Sequence, residues 1–367
     1  MVFILAGCER APLIPPHPVG LLGASFTPVT FDKLTGWRDD GQAEALIAFR
    51  RSCVVVAKLP GERDMGANGI AGRAADWQPA CAAAARIPNG DAPARAFFEA
   101  RFAAYRVMDG GNDEGFFTGY YEPELRGARK SGGRFRYPLY ARPKDLPNNA
   151  TTPYFSRVEI NKGALSGKGL ELLWVDDPVD AFFLHVQGSG RVVLDNGQAV
   201  RVGFAGHNNR PYTAIGRVLL DRGALPKDGV SMQSIRAWLA ANPDKAAATM
   251  AENARYVFFQ LQEGDGPIGS QGVALIPGRS LAVDRSFMPL GAPVWLDSTD
   301  PLERSRPLRR LLVAQDTGTA IRGVIRGDVF WGAGPEAANR AGRMQEKGRY
   351  YVLLPKGVDP ALFRPSS

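Results

Sequence analysis

Apolar and polar positions change rhythm along this 367-residue chain. Before residue 110 helical spacing dominates, and it predicts helices near 42–51 and 93–105. In the second, Asp91 caps, Pro93 starts, and Phe97, Phe98, Phe102 and Tyr105 form a core stripe. From Gly115 the pattern turns to short β-type runs, 116–121 and 182–187, each closed by Gly or Pro. Three helical segments follow between 212 and 252. Ile215, Val218 and Leu219 share one face there and Ile235, Trp238 and Leu239 another, with stops at Gly223 and Asn242-Pro243, so these helices should cover a sheet. Beyond residue 272 the runs 273–276, 281–283, 293–296, 311–314, 320–324 and 350–353 read as strands at the close spacing of a small barrel. Pro335 then opens a helix through Arg343, and the Pro-rich stretch 12–18 reads as an extended tether.

Composition narrows the chemistry. Apolar residues make up 45% and charged residues 22%, an ordinary globular balance, and the length accommodates two domains. The formal charge of +8 suits an anionic or polar polymer, but Lys and Arg are scattered without the clustered stripe of a nucleic-acid binder. Three histidines lie far apart and three cysteines crowd the first quarter, with no CxxC or HExxH pair to seed a metal site. Gly188-Ser189-Gly190 lacks the spacing of a nucleophile elbow, and no Walker loop or GxGxxG opens a helix after a strand.

The unusual carboxylates are Asp284, Asp316 and Asp328, each at a strand end or in an apolar-flanked turn. An Asp among β-branched and aromatic neighbours loses solvation, so its pKa rises and it can serve as a general acid. Asp328, beside Phe330 and Trp331, fits best. Asp316, in an Asp-Thr-Gly turn, is as well explained by hydrogen bonds that hold a loop. Phe116, Phe117, Tyr120 and Tyr121 read first as buried strand residues and second as a sugar-stacking platform.

The N-terminal Leu5-Ala6-Gly7-Cys8 resembles the lipobox of bacterial lipoproteins, in which the cysteine is lipidated; the alternative is an ordinary buried or free cysteine. Only seven residues, none basic, precede Cys8, which reads as a truncated signal over 1–8 followed by a tether over 9–24. Lipid on Cys8 would hold the protein at a membrane face, and Glu9, rather than Asp, after it points to the outer membrane. Cys53 and Cys81 are then an even pair, either a disulfide contributing roughly 3–4 kcal/mol outside the cytoplasm or two reduced core thiols.

Several long motifs in order resemble the membrane-bound lytic murein transglycosylase A family, which ends in a small domain named for three aspartates. They are Gly115-Phe116-Phe117-Thr118-Gly119-Tyr120-Tyr121-Glu122-Pro123, the run from Asp180 through His185-Val186-Gln187-Gly188-Ser189-Gly190 to Arg191, and Tyr256-Val257-Phe258-Phe259. Gly278-Arg279-Ser280-Leu281-Ala282-Val283-Asp284, Ala314-Gln315-Asp316-Thr317-Gly318 and Asp328-Val329-Phe330-Trp331-Gly332-Ala333-Gly334 complete the set. The resemblance implies a mainly β protein with some α: a double-psi β-barrel from 25–114 and 266–360, with the three-aspartate segment at about 273–355. A second β domain, 115–265, would be inserted into it, with a substrate groove between the two.

It also implies a lytic exotransglycosylase, a carbon–oxygen lyase that cleaves the β-1,4 bond between N-acetylmuramic acid and N-acetylglucosamine and leaves 1,6-anhydromuramyl ends. Asp328 takes the catalytic position, Asp316 a supporting one, and Asp284 the third. Tyr120, Gln187, Gly188, Ser189, Asp284 and Trp331 are the candidates for substrate contacts. One carboxyl suffices because the nucleophile is the substrate's own C6 hydroxyl, already held beside the anomeric carbon. The expected partners are peptidoglycan strands, a membrane reached through the lipid anchor, and proteins of cell-wall synthesis or remodelling, in the periplasm, with no cofactor, metal or nucleic acid. A non-catalytic peptidoglycan binder and a hydrolytic muramidase are the alternatives.

Overall fold

The computed structural model describes residues 24–360 except 148–150, 227–228, 265 and 319. Cys8 and all of the expected tether but Ala24 lie outside the described residues. Strand β1 (Ala24–Val29) pairs antiparallel with β2 (Phe102–Asp109), and three helices come between them: α1 (Ala43–Val56), α2 (Ala74–Ala84) and α3 (Asp91–Arg101). Helix α3 is shorter than its aromatic spacing predicts, because the stripe continues into β2. Phe97, Phe98 and Phe102 all pack around Phe49 of α1, so one core contact spans a helix and a strand. Asp91 lies inside α3, and its carboxylate accepts from the Ala43 amide in the first turn of α1, 2.9 Å away. Helix α2 was not predicted. Its Ala-rich run has no broad apolar stripe, and it is started by Asp76, which accepts from the Arg73 amide. Cys53 and Cys81 are bridged, with Cα atoms 5.2 Å apart, tying α1 to α2.

Six strands close into a double-psi barrel. They are β3 (Gly115–Glu122), β10 (Ser280–Val283), β11 (Pro293–Thr299), β12 (Pro307–Asp316), β13 (Arg326–Ala333) and β14 (Gln345–Pro355). The ring runs β14-β11-β12-β10-β13-β3 and returns to β14; β10–β12 and β13–β3 are parallel and the other pairs antiparallel. Long β14 closes it by pairing with β3 through 345–348 and with β2 through 351–355. The expected strands at 273–276 and 320–324 are loops. Their apolar residues Val273, Leu275, Ile321 and Val324 are buried without forming ladders, so burial imitated a strand pattern. Strand β3 also belongs to the barrel, so the sheet of the inserted region begins at Glu124 rather than at residue 115.

The inserted region is a second six-stranded sheet with its own cores. Its order is β5 (Tyr137–Tyr140), β6 (Glu171–Val175), β4 (Glu124–Ala128), β7 (Gly190–Leu194), β8 (Ala199–His207) and β9 (Val257–Gln262). A short helix α4 (Arg157–Asn161) precedes β6. The run 182–187, expected as a strand, is the end of helix α5 (Pro178–Gln187). Asp177 accepts from the amides of Val179 and Asp180 and Pro178 takes the first position, which starts the helix. Ala181 and Leu184 pack on the sheet, while Phe182 and Phe183 face the helices α6 (Ile215–Asp221), α7 (Met232–Ala241) and α8 (Pro243–Ala251). A helix buried on both sides has no polar face to reveal its period, and this is why the run resembles a strand. A last helix, α9 (Gly334–Arg343), follows β13.

Candidate active site

In-register pairing of β3 and β13 builds one side of the site. Arg326 stands opposite Phe116, Asp328 opposite Thr118 and Phe330 opposite Tyr120. Strand alternation turns Phe117 and Val329 into the core and the Phe116, Thr118, Asp328 and Tyr120 series outward. The aromatic quartet therefore divides: Phe117 and Tyr121 are buried, Phe116 is exposed, and the Tyr120 ring packs 5.2 Å from that of Phe330.

Asp328 accepts a 2.6 Å hydrogen bond from the Thr118 hydroxyl on Oδ1. Burial pushes its carboxyl up to about 6 from an ordinary 3.8, aided by the negative charge of Asp316 and opposed by Thr118 and Arg326. At the end of β12, Asp316 has a different environment. Its Oδ1 accepts from the Ser270 amide (2.9 Å), the Ser270 hydroxyl (2.8 Å) and the Thr317 amide (2.9 Å), and its Oδ2 accepts from the Tyr120 hydroxyl (2.8 Å). Burial and the two aspartates hold the Tyr120 phenol well above its usual 10, so it stays a neutral donor. Ala282 of β10 is in register with Asp316 on one side and Asp328 on the other. Two strand spacings of about 4.8 Å put the aspartate backbones roughly 10 Å apart, with only a methyl group between them.

The inserted region supplies the facing wall. A narrow cleft is lined by Tyr120, Glu122 and Asp316 together with Gln187 and Ser189. Gly188 ends α5 at φ +81°, a left-handed turn that glycine adopts without strain, and this brings Gln187 and Ser189 to the cleft. Glu122, where β3 leaves the barrel, is buried and paired with Arg201 of β8 at 3.2 Å, linking the two walls.

Two expected contact residues lie elsewhere. Trp331 is on the inward side of β13, packed with Tyr121, Ala337 and Ala341 and set between the guanidinium groups of Arg310 and Arg340. Its alternation relative to Asp328 places it there, and Gly119 makes the room, since a Cβ at 119 would lie 2.6 Å from the indole nitrogen. Asp284 is buried just after β10. Its oxygens accept from the Ser286 and Gly323 amides at 3.0 Å, so it ties two loops together. Sequence reading had missed Thr118, Arg326 and Ser270. Thr118 and Arg326 were detectable, being two residues from Tyr120 and Asp328 on the same strand faces, whereas nothing local marks Ser270.

The profile of the MltA specific insert domain matches residues 116–260 and that of the 3D domain residues 279–354. The membrane-bound lytic murein transglycosylase A of Vibrio cholerae is 34% identical over 254 residues, 67% of each chain. The chain belongs to the membrane-bound lytic murein transglycosylase A family. The crystal structure of MltA from Neisseria gonorrhoeae, a relative at 35% identity, superposes with a TM-score of 0.83 over 94% of this chain and 95% of that one. That of Escherichia coli MltA with bound chitohexaose has a TM-score of 0.63 at 32% identity over 77% of this chain and 83% of the other. These family likenesses span both walls of the cleft.

Proposed function

We propose that this protein is a peptidoglycan lytic transglycosylase. It cleaves the β-1,4 bond between N-acetylmuramic acid and N-acetylglucosamine and leaves a 1,6-anhydromuramyl end, with Asp328 acting as acid and then as base. The observation that carries this reading is the Asp328 carboxyl: raised to about 6, bonded on one oxygen by Thr118, and set on the same outward strand face as Tyr120 and Phe330, which line the cleft. The names of the relatives support murein as substrate, and the chitohexaose bound to the Escherichia coli relative supports a saccharide-binding groove.

A protonated Asp328 gives its proton to the leaving glycosidic oxygen. Ionised, it takes the proton of the C6 hydroxyl as that oxygen bonds to the anomeric carbon, so the carboxyl returns to its starting state. The attack is intramolecular and needs no activated water. A hydrolase needs a second carboxylate free to activate that water. Asp316 is poorly suited to that task, since four hydrogen bonds already occupy its two oxygens. We assign it to holding Tyr120 and the 270 loop, and Tyr120, Gln187, Gly188 and Ser189 to positioning the sugar.

Attachment to the outer membrane through lipidated Cys8, on the periplasmic side, belongs to the same proposal. No helix among the described residues is long and apolar enough to cross a membrane. Fatty-acid labelling that disappears in Cys8→Ser supports the anchor, and equal labelling of that variant removes it. For the activity, murein sacculi are digested with the soluble part and the muropeptides weighed. Ends lighter by one water than hydrolytic ends support the lytic reaction; reducing ends mean hydrolysis, and an uncut sacculus that retains the protein means binding alone.

A further inference from the structure

The outward ladder of β3 and β13 has a cation next to the acid. Arg326 precedes Asp328 by two residues, so its side chain leaves the same strand face, and its guanidinium lies 5.3 Å from the centre of the Phe116 ring. It donates from Nη1 to the carbonyls of Gly327 (2.5 Å) and Phe116 (3.3 Å) and from Nη2 to the hydroxyl oxygen of Thr118 (2.9 Å). The carbonyls and the ring hold the group in place, so its contact with Thr118 is part of a built arrangement.

Arginine has donors and no acceptor, and threonine has a single hydroxyl proton. With Arg326 donating to the Thr118 oxygen, that proton is directed away, and the acceptor within reach is Asp328 Oδ1 at 2.6 Å. Of the two oxygens of a neutral carboxyl, the carbonyl-like one accepts the better hydrogen bond. Oδ1 therefore takes the carbonyl role and the acid proton sits on Oδ2. Among the described residues no protein group bonds Oδ2, and it is not sealed from solvent.

We propose that Arg326 and Thr118 form a positioning pair that selects Oδ2 as the oxygen of Asp328 that gives and receives the proton. Arg326 orients Thr118, and Thr118 orients the carboxyl and stabilises its ionised form, so together they keep Asp328 from rising further while aiming its proton into the groove. This rests on the acid/base reading of Asp328 and adds which atom acts and what aims it.

Steady-state cleavage of soluble glycan strands is measured against pH for the wild type, Thr118→Val, Thr118→Ser, Arg326→Met and Asp328→Asn. Thr118→Val keeps the shape and removes the donor. Its kcat is expected to fall roughly tenfold to a hundredfold with little change in KM, as for a misplaced catalytic group. The basic limb of its kcat profile should move to higher pH, because a bond that favours the carboxylate is gone. Thr118→Ser restores the hydroxyl and should bring the limb back and recover most of kcat. Arg326→Met should move the limb in the same direction as Thr118→Val, and the double variant should lower kcat little beyond either single one. Protein that is merely misfolded would lose active fraction without moving the limb. A Thr118→Val enzyme with wild-type kcat and limb, beside an inactive Asp328→Asn, overturns the positioning pair and leaves Asp328 in place. An active Asp328→Asn overturns the acid/base reading itself.

Discussion

The end of β12 and the middle of β13 flank the same residue, Ala282, yet they treat their aspartates in opposite ways. Asp316 receives four hydrogen bonds, from two amides and two hydroxyls, and is fixed as a structural acceptor. Asp328 receives one side-chain hydrogen bond, is largely desolvated and holds its proton up to about pH 6. Two carboxyls two strands apart thus sit in different surroundings: four donors surround Asp316, while burial with a single side-chain donor raises Asp328.

The strongest way to break this contrast is Asp328→Asn, expected to reduce cleavage by at least about a thousandfold, read as anhydromuropeptide release. The same variant should be more stable than the wild type at pH 7. The folded pKa of about 6 lies above the ordinary 3.8, so this group's contribution is fully present below about pH 4 and is lost as pH rises through 6. Thermal melts should therefore show the variant ahead by on the order of 1–3 kcal/mol at pH 7 and level with the wild type near pH 4. An equal difference at both pH values would remove the buried-acid explanation.

Support from α1 reaches the Asp316 side of the pair. Gln315, next to Asp316, donates to the Ala48 carbonyl and the Ser52 hydroxyl of α1, and Cys53 ties that helix to α2. Replacing Cys53 and Cys81 together by Ser should cost about 3–4 kcal/mol on the chain-entropy account while leaving the basic limb of the pH profile where it was. A limb that moved with the disulfide would show the two aspartates to be mechanically coupled.

Asp316→Ala strands the donors of Ser270, Thr317 and Tyr120. It should destabilise by about 1–3 kcal/mol in denaturant melts and lower kcat much less than Asp328→Asn does. If a well-folded Asp316→Ala lost as much activity as Asp328→Asn, and the wild type released reducing ends, Asp316 would be a second catalytic carboxylate. The smallest effect concerns Trp331. Because it packs on α9 and away from the cleft, Trp331→Phe should cost roughly 1–2 kcal/mol of stability with KM for glycan strands unchanged. A clear rise in KM would return Trp331 to the groove wall.

How far the sequence was legible depends on how local the cause was. Helices α6, α7, α8 and α9 were readable because their signals are local: apolar spacing and stop residues for α6 and α7, and Pro starts for α8 and α9. Helix α5 was not, since burial on both faces erased its period, and the loops at 273–276 and 320–324 imitated strands for the same reason. At the site, Asp328 stood out by its apolar neighbours. Trp331 misled, because a residue three positions along a strand lies on the opposite face.

By itself the sequence determined the order and identity of the motifs, and with them the family, the even pair Cys53 and Cys81, and three aspartates at strand ends in a chain whose histidines are few and scattered. The tertiary structure alone decided that Asp328 is buried with a single side-chain donor while Asp316 is bound by four. Its reason is electrostatic and steric: pKa and orientation are set by burial and by donors remote in the chain. Thr118 lies 210 residues from Asp328, Tyr120 196 from Asp316 and Ser270 46 from it, and only closure of the barrel brings these groups within hydrogen-bond reach.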